Sequence, residues 1–362
     1  MGVLKIACVG DTMCGDSFGL LGWGVASSLD KYGSDFLPSE IVNIFSSHDI
    51  VICNVECVLS NIGRKENSLR SLHMRGRTET ATYLAKWGIT VAHLANNHIL
   101  EQGLEAAVDT VRQLQNAGVR TVGAGKNGRF QPGIEPLYIS TANRSIAVIG
   151  VCLHSGKYAF SSDVDEVLET IKAGADKENL VIVSVHWGDE LINRPSSWQK
   201  QVARQFTNAG ASLVIGHHPH VVQGIDSSDN ALIAYSLGNF IFDGHSEATN
   251  WSIILSIQIT DRRVTKWEAI PILRDKDYRP ILARGERGNE LNNEIMRRCN
   301  LLSPKPLDKE TYEREYALEL KELETKSRHN LWLDIAKRFV HYRPVYWPQI
   351  LFRPIQRRLG IW

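Results

Sequence analysis

Short apolar runs recur along the first two thirds of the chain, and each is released by a glycine, asparagine or alanine turn, or directly, into an acid or a histidine. Leu4-Lys5-Ile6-Ala7-Cys8-Val9 leads to Gly10-Asp11, and Asp49-Ile50-Val51-Ile52-Cys53 to Asn54-Val55-Glu56. Ile89-Thr90-Val91-Ala92-His93-Leu94 leads to Ala95-Asn96-Asn97-His98, and Leu180 to Val185 leads to His186-Trp187-Gly188-Asp189-Glu190. Finally Ala211-Ser212-Leu213-Val214-Ile215 opens into Gly216-His217-His218-Pro219-His220. Continuous β-branched runs of this length predict strands buried on both faces, and the polar residues that follow predict a site at their C-terminal ends.

Helical patterns lie between the runs. Ser196-x-x-Gln199 has the form of a capping box, Trp198, Val202 and Phe206 recur every four residues, and Asn208-Ala209-Gly210 supplies a stop. From Gln102 to Gly118, Leu104, Val108, Val111 and Leu114 form one stripe. Alternating strand and helix predicts an α/β fold with mostly parallel sheet. After His220 the rhythm changes: 232–235, 251–257 and 264–270 read as strands joined only by turns, hence antiparallel additions, and the domain is expected to close near Arg274, giving a first domain over 1–274. Asp275 to Gly288 reads as a linker, 306–330 as a solvated charged helix (275–330 together), and 331–362 as a basic aromatic tail.

Charge and cysteine content narrow the classes. A net charge of +1 on 362 residues carries no nucleic-acid footprint. Met1 to Lys5 runs into the first strand without a signal-peptide pattern, which predicts a cytoplasmic protein. The six cysteines form no C-x-x-C pair, and Cys8, Cys53 and Cys152 lie inside apolar runs, so reduced core residues are expected. In the tail, Lys337, Arg338, Arg343, Arg353, Arg357 and Arg358 against Asp334 leave +5, six minus one, and Trp332, Ile335, Ala336, Phe339 and Val340 share a helix face. Such a segment suits peripheral contact with an anionic membrane, at the inner surface, and equally suits packing on its own domain or a second subunit.

Collected from the strand ends, Asp11, Glu56, Asn97, His98, His186, His218 and His220 combine carboxylate, imidazole and amide oxygen. That donor set suits one or two borderline divalent ions, manganese, iron or zinc, rather than a thiolate structural zinc. Two imidazoles in H-x-H spacing on a turn stiffened by Pro219 can address one ion, and a carboxylate such as Glu56 can bridge two. Gly123 to Gly128 matches G-x-G-x-x-G, but Phe130-Gln131-Pro132-Gly133 follows instead of a helix, which argues against a dinucleotide site. Arg194 and Lys200 are available as contacts for an anionic substrate or as plain surface charge.

The ordered set Gly10-Asp11, Asn54-Val55-Glu56, Ala95 to His98, His186 to Glu190, His218-Pro219-His220 with Gln223, and Tyr235 to Phe240 resembles the CapA family of capsule and poly-γ-glutamate synthesis, which is similar to calcineurin-like metallophosphoesterases. The resemblance spans about residues 3–272 and implies a four-layer sandwich of two mixed sheets flanked by helices, with a C-terminal helical appendage on this chain. It implies Asp11 and His220 on a first metal, Asn97, His186 and His218 on a second, Glu56 between them, and His98 as donor of a proton or hydrogen bond to the substrate or leaving group. Asn54, Asn96, Glu101, Glu190, Gln223 and Asn239 would support these residues or meet substrate, although a tight turn explains Asn239 about as well. The reaction implied is attack of metal-bound hydroxide on a phosphoester or a γ-glutamyl amide of an anionic polymer; the alternative is a non-catalytic component of a membrane-associated polymer synthesis and export complex. Two departures stand out: the phosphoesterase D-x-H opening is Asp11-Thr12-Met13 here, and the asparagine-histidine loop carries Glu101 where the family usually has aspartate.

Overall fold

A computed structural model describes residues 2–141, 144–177, 179–228, 231–244, 246–302 and 309–358. Two large mixed sheets form its centre. In the first, Leu4–Thr12 is flanked by the parallel strands Ile50–Val55, Val91–His93 and Arg120–Val122 on one side. On the other lie the antiparallel strands Trp251–Thr260, Arg263–Arg274 and Pro280–Leu282, while Asn239–Ile241 pairs in parallel with the end of Leu4–Thr12. The second sheet runs Ile225–Ser228, Ala231–Ala234, Ala211–His217, Leu180–His186, Arg144–Cys152, Leu137–Thr141, with its four middle strands parallel.

Strand parity sorts the apolar runs into layers. Ile6, Cys8, Ile50 and Ile52 face Ile146, Val148, Ile182, Leu213 and Ile215 across the gap between the sheets. Their chain neighbours Ala7, Val9, Val51 and Cys53 pack outward against the helices Val25–Tyr32, Ser39–Ser46, Thr80–Lys86 and Leu104–Asn116. Likewise Ala147, Val181, Val183 and Val214 pack against Val164–Asp176 and Ser197–Asn208. Helix, sheet, sheet, helix is the four-layer arrangement expected, and the central strands Leu4–Thr12, Ile50–Val55, Leu180–His186 and Ala211–His217, buried on both faces, show no sustained polar alternation. A fully buried Ile or Leu stabilises by roughly 1.5–3 kcal/mol, so these three clusters dominate the fold's favourable energy.

Local signals behave as physical chemistry requires, with exceptions at the surface. The Ser196 hydroxyl accepts from Gln199 N and the Gln199 side chain accepts from Ser196 N, closing the expected capping box. Val202, Phe206, Val111 and Leu114 are buried, but Trp198 and Leu104, at the first turns of their helices, are exposed. The strand Ala231–Ala234 is parallel to Ala211–His217 rather than an antiparallel addition, because the antiparallel strand Ile225–Ser228 intervenes at the edge.

The stretch read as a linker carries structure. Pro280–Leu282 extends the first sheet, and the helix Gly285–Asn300 inserts Leu291 and Ile295 into the core between the sheets. The long helix Lys309–Arg338 then leads into the tail, whose Ile335, Tyr342, Tyr346 and Ile350 are buried against Phe18 and Leu69. There the Tyr342 hydroxyl donates to the Gly19 carbonyl at 2.6 Å and Leu69 N donates to Gln349 Oε1 at 2.9 Å. Trp332 remains exposed within the helix, and Val340 is exposed where the helix ends at Arg338 and a 3-10 turn, Phe339–His341, breaks the single face expected for this segment. Tail residues 359–362 lie outside the described residues. Among the described residues no helix is long and apolar enough to cross a membrane.

Candidate metal centre

The two sheets deliver their C-terminal strand ends to one place. Asp11 closes the first strand of one sheet, His186 ends a strand of the other, and His218 and His220 follow Ala211–His217 directly. His218 and His220 adopt positive φ, +95° and +59°. Non-glycine residues are strained there, at a cost on the order of 1–3 kcal/mol each, and such strain concentrates where side-chain direction matters. Glu56, His186 and His218 form one group of ligand atoms within 4.8 Å of each other, and Asp11, Glu56 and His220 form another. Glu56 belongs to both.

The polar groups around these side chains leave several ligand-type atoms without a partner. Asn54 Nδ2 donates to Asp11 Oδ1 at 2.8 Å and to Glu56 Oε2 at 3.2 Å. Asn96 in turn donates to the Asn54 Oδ1 at 3.3 Å and to the Val55 carbonyl at 2.9 Å. Asn239 Oδ1 lies 2.9 Å from His220 Nδ1, so a proton on that nitrogen leaves Nε2 facing Glu56 Oε1 at 3.7 Å. His186 Nε2 is 2.9 Å from Asn97 Oδ1 and 4.0 Å from Glu56 Oε1. Glu56 Oε1 and His218 Nδ1 are buried without any hydrogen-bond partner. Unsatisfied buried acceptors are costly and rare, and an oxygen ringed by imidazoles at 3.7–4.0 Å has the spacing of ligands around a shared ion. The residues fit a divalent metal.

Electrostatics agree. Burial holds His186 and His218 well below the usual imidazole range, keeping them neutral as metal ligands must be. Burial pushes the Glu56 carboxyl well above its ordinary range, His220 opposing and Asp11 adding to the effect. Burial would raise Asp11 too, but bonds to His217 and His220 hold it well below. For His220, burial is outweighed by Glu56 and Asp11, and its pKa rises to about 10.

His98 stands at the edge of the centre. Its Nδ1 lies 2.9 Å from Glu101 Oε2, and its Nε2 points to Glu56 Oε1 at 3.9 Å. Burial raises Glu101, but the His98 bond together with His73 and Arg70 brings it below the ordinary range, so a carboxylate orients the ring. Glu190 is exposed yet groups with His218 and His220. Gln223 is displaced from the ligands: it donates to the Ile192 carbonyl at 2.8 Å and braces the loop behind them. Asn239 begins a strand that pairs with Asp11, which accounts for its position without a special turn. Met13, at the D-x-H histidine position, is fully buried. Arg194 is paired with Glu319 of the long helix at 3.3 Å.

Several contributing residues escaped the sequence pattern. His217 Nδ1 sits 3.5 Å from Asp11 Oδ1, its Nε2 3.0 Å from Ser184 Oγ, and that hydroxyl 2.9 Å from His93 Nδ1, a buried chain behind the first ligand. His154 lays its ring 4.6 Å from that of His218. His93 is enclosed within an apolar run, His217 stands beside His218 without a spacing that sets its role apart, and His154 follows its strand without a glycine or acid before it.

A profile described as "Bacterial capsule synthesis protein PGA_cap" matches residues 5–244, a span holding every ligand-type residue above. The chain belongs to this family. It is 29% identical over 286 residues to "Capsule biosynthesis protein CapA" of Bacillus anthracis, covering 75% of this chain and 69% of that protein. It is 28% identical over 280 residues to "PGA biosynthesis protein CapA" of Bacillus subtilis (strain 168), covering 75% and 71%. A crystal structure of a hypothetical protein from Thermus thermophilus aligns with a TM-score of 0.48 at 15% identity, over 74% of this PGA_cap chain and 98% of that one.

Beside the centre, Asp16 and Asp243 converge beneath Gly24, where an added Cβ would meet Asp243 Oδ2 at 2.0 Å and Asp16 Oδ1 at 2.7 Å. Burial, and then the Asp16 charge, push Asp243 up to about 7, with Arg274 the nearby cation. A carboxyl raised on folding contributes stability that is present below its unfolded pKa and lost as pH rises through the folded one. We therefore predict that chelator-treated protein weakens between pH 5 and 8. Asp243→Asn, which removes the buried titrating carboxyl and its repulsion with Asp16, should flatten that profile and gain on the order of 2 kcal/mol at pH 8. Urea melts at both pH values check this; parallel profiles for parent and variant would refute it.

Proposed function

We propose that this PGA_cap protein is a metal-dependent hydrolase serving capsule or poly-γ-glutamate biosynthesis, acting on a phosphoester or a γ-glutamyl amide. The observation that carries the reading is Glu56 Oε1: buried, unpartnered, shared by two three-ligand groups, and 3.9 Å from His98 Nε2. The relatives' names support the biosynthetic setting.

Asp11, Glu56 and His220 would hold one divalent ion, and Glu56, Asn97, His186 and His218 a second. Bound there, the ions supply Lewis acidity and lower the pKa of water. The chain's own residues do the rest. Asn54 fixes both carboxylates in one orientation through two bonds, and Asn239 fixes the His220 ring. Glu101 holds His98 with Nε2 turned into the site, where it can deliver a proton to a leaving oxygen or nitrogen. Met13 in place of a histidine leaves the first ion three protein ligands, so manganese or iron with open positions suits this subsite better than a closed structural ion.

The test is turnover by the manganese-loaded protein on oligo-γ-glutamate and on an aryl phosphate. His98→Gln is expected to lower kcat by roughly 10²–10⁴-fold, in the range of a lost general acid, with metal content unchanged. Stoichiometric metal with no turnover of either substrate class would reject the hydrolase and favour an assembly role.

A further inference from the structure

The loop 153–162 adjoins the candidate ligands, with the His154 ring packed 4.6 Å from that of His218. It is tied down at several points. Ser162 N donates to the Cys152 carbonyl at 2.7 Å and Ser161 Oγ to the His154 carbonyl at 2.8 Å. Leu100 N donates to the Tyr158 carbonyl at 3.2 Å and Phe160 N to the Asn96 carbonyl at 3.3 Å, which joins the loop to the segment carrying Asn97 and His98. Arg70 donates to the Tyr158 hydroxyl at 2.5 Å, which leaves that hydroxyl its own proton to offer. Lys157 is exposed with its Nζ 5.1 Å from the Tyr158 ring, and among the described residues no carboxylate pairs with it. His154, against His218, has a buried Nδ1 with no partner. Asp11 and Glu56 are carboxylates buried in the centre, which repel an acidic substrate unless its charge is received elsewhere. Arg194 is engaged by Glu319.

We propose that Lys157, the Tyr158 hydroxyl and His154 form the acceptor for an acidic group of the substrate, a carboxylate or phosphate oxyanion held next to the metal ligands. The inference rests on the reading of the centre as a substrate site. It assigns the charge of the substrate to residues outside the ligand set, and it makes Lys157 a specificity-determining residue rather than a catalytic one.

The experiment titrates the full chain with manganese, then measures binding of tri-γ-glutamate, its methyl ester and phenyl phosphate by calorimetry at low and moderate salt. Lys157→Glu is expected to weaken the acidic probe about tenfold, more at low salt, while Lys157→Arg restores it. The methyl ester should not respond to the substitution, and manganese uptake should be equal in all three proteins. Dependence seen only with phenyl phosphate assigns the oxyanion to phosphate; dependence only with the peptide assigns it to carboxylate. Unchanged binding by Lys157→Glu, an equal loss with the ester, or no binding of either acidic probe by manganese-loaded protein overturns the proposal. Failure of the parent to take up manganese overturns the reading beneath it, a separate and distinguishable result.

Discussion

Alanine at Glu56 is expected to leave a folded protein that no longer retains divalent metal. The carboxylate is fully buried and serves both ligand groups, so its removal takes one donor from each subsite. Loss of residues that merely orient ligands already costs 10–100-fold in metal affinity, and a shared ligand should cost at least about 100-fold. Folding is not at risk in the same way. Without metal the carboxyl is a desolvated group with an unpartnered oxygen that Asp11 repels, and when it is removed Asp11 and His220 keep their contact with each other. Metal saturation at about 100 times Kd stabilises a protein by about 2.7 kcal/mol. The parent's melting temperature should therefore rise by several degrees with manganese, and that of Glu56→Ala should not move. Elemental analysis of both proteins, with thermal melts with and without manganese, checks the pair of effects. Equal metal retention would reject Glu56 as a ligand.

Legibility of this site in the sequence followed burial. Strands sealed on both faces appear as unbroken apolar runs, so any polar residue just past their ends is conspicuous, and that is how Asp11, Glu56, His186, His218 and His220 could be gathered before any geometry was known. The same rule hid His93, fully buried inside a strand where an imidazole reads as part of the run. His217 stands in the conspicuous histidine segment, but its partners do not show there: its ring lies 5.6 Å from that of His93, and both meet Ser184 Oγ. His154 is invisible for another reason: its role depends on the distance to His218, sixty-four residues later in the chain (218 minus 154), and no local spacing encodes that. Beyond Arg274 a three-residue edge strand and a helix with two deeply buried apolar residues, Leu291 and Ile295, give too little periodicity to outweigh charged and glycine-containing surroundings. In the tail, 3-10 turns interrupt the helical period, so the residues that pack on Phe18 and Leu69 are not those a continuous helix would align.

Gly216→Ala is expected to damage fold and metal binding together, and more severely than any ligand substitution. Gly216 lies one residue before His217 and two before His218, on the strand that joins Leu180–His186 to Ala231–Ala234. A Cβ there would stand 1.9 Å from the Tyr235 carbonyl oxygen and 2.6 Å from Trp187 Nε1, two atoms already joined by a hydrogen bond of 3.0 Å. Neither can yield cheaply, because Trp187 is fully buried and the Tyr235 oxygen belongs to the backbone. Overpacking of this kind costs about 1–3 kcal/mol and the broken indole bond about 1 more, so a loss of roughly 3 kcal/mol is expected. Moving the strand end also moves His217 away from Asp11 and His218 away from Glu56, and ligand sets tolerate displacements of only a few tenths of an ångström. Gly22→Ala is the control: its φ is +83° but nothing lies within 4 Å, so it should cost about 1 kcal/mol and leave metal uptake intact. Urea denaturation and elemental analysis on the two variants separate the outcomes. If Gly216→Ala keeps both stability and metal, the close approach of these strands is not what aims the histidines.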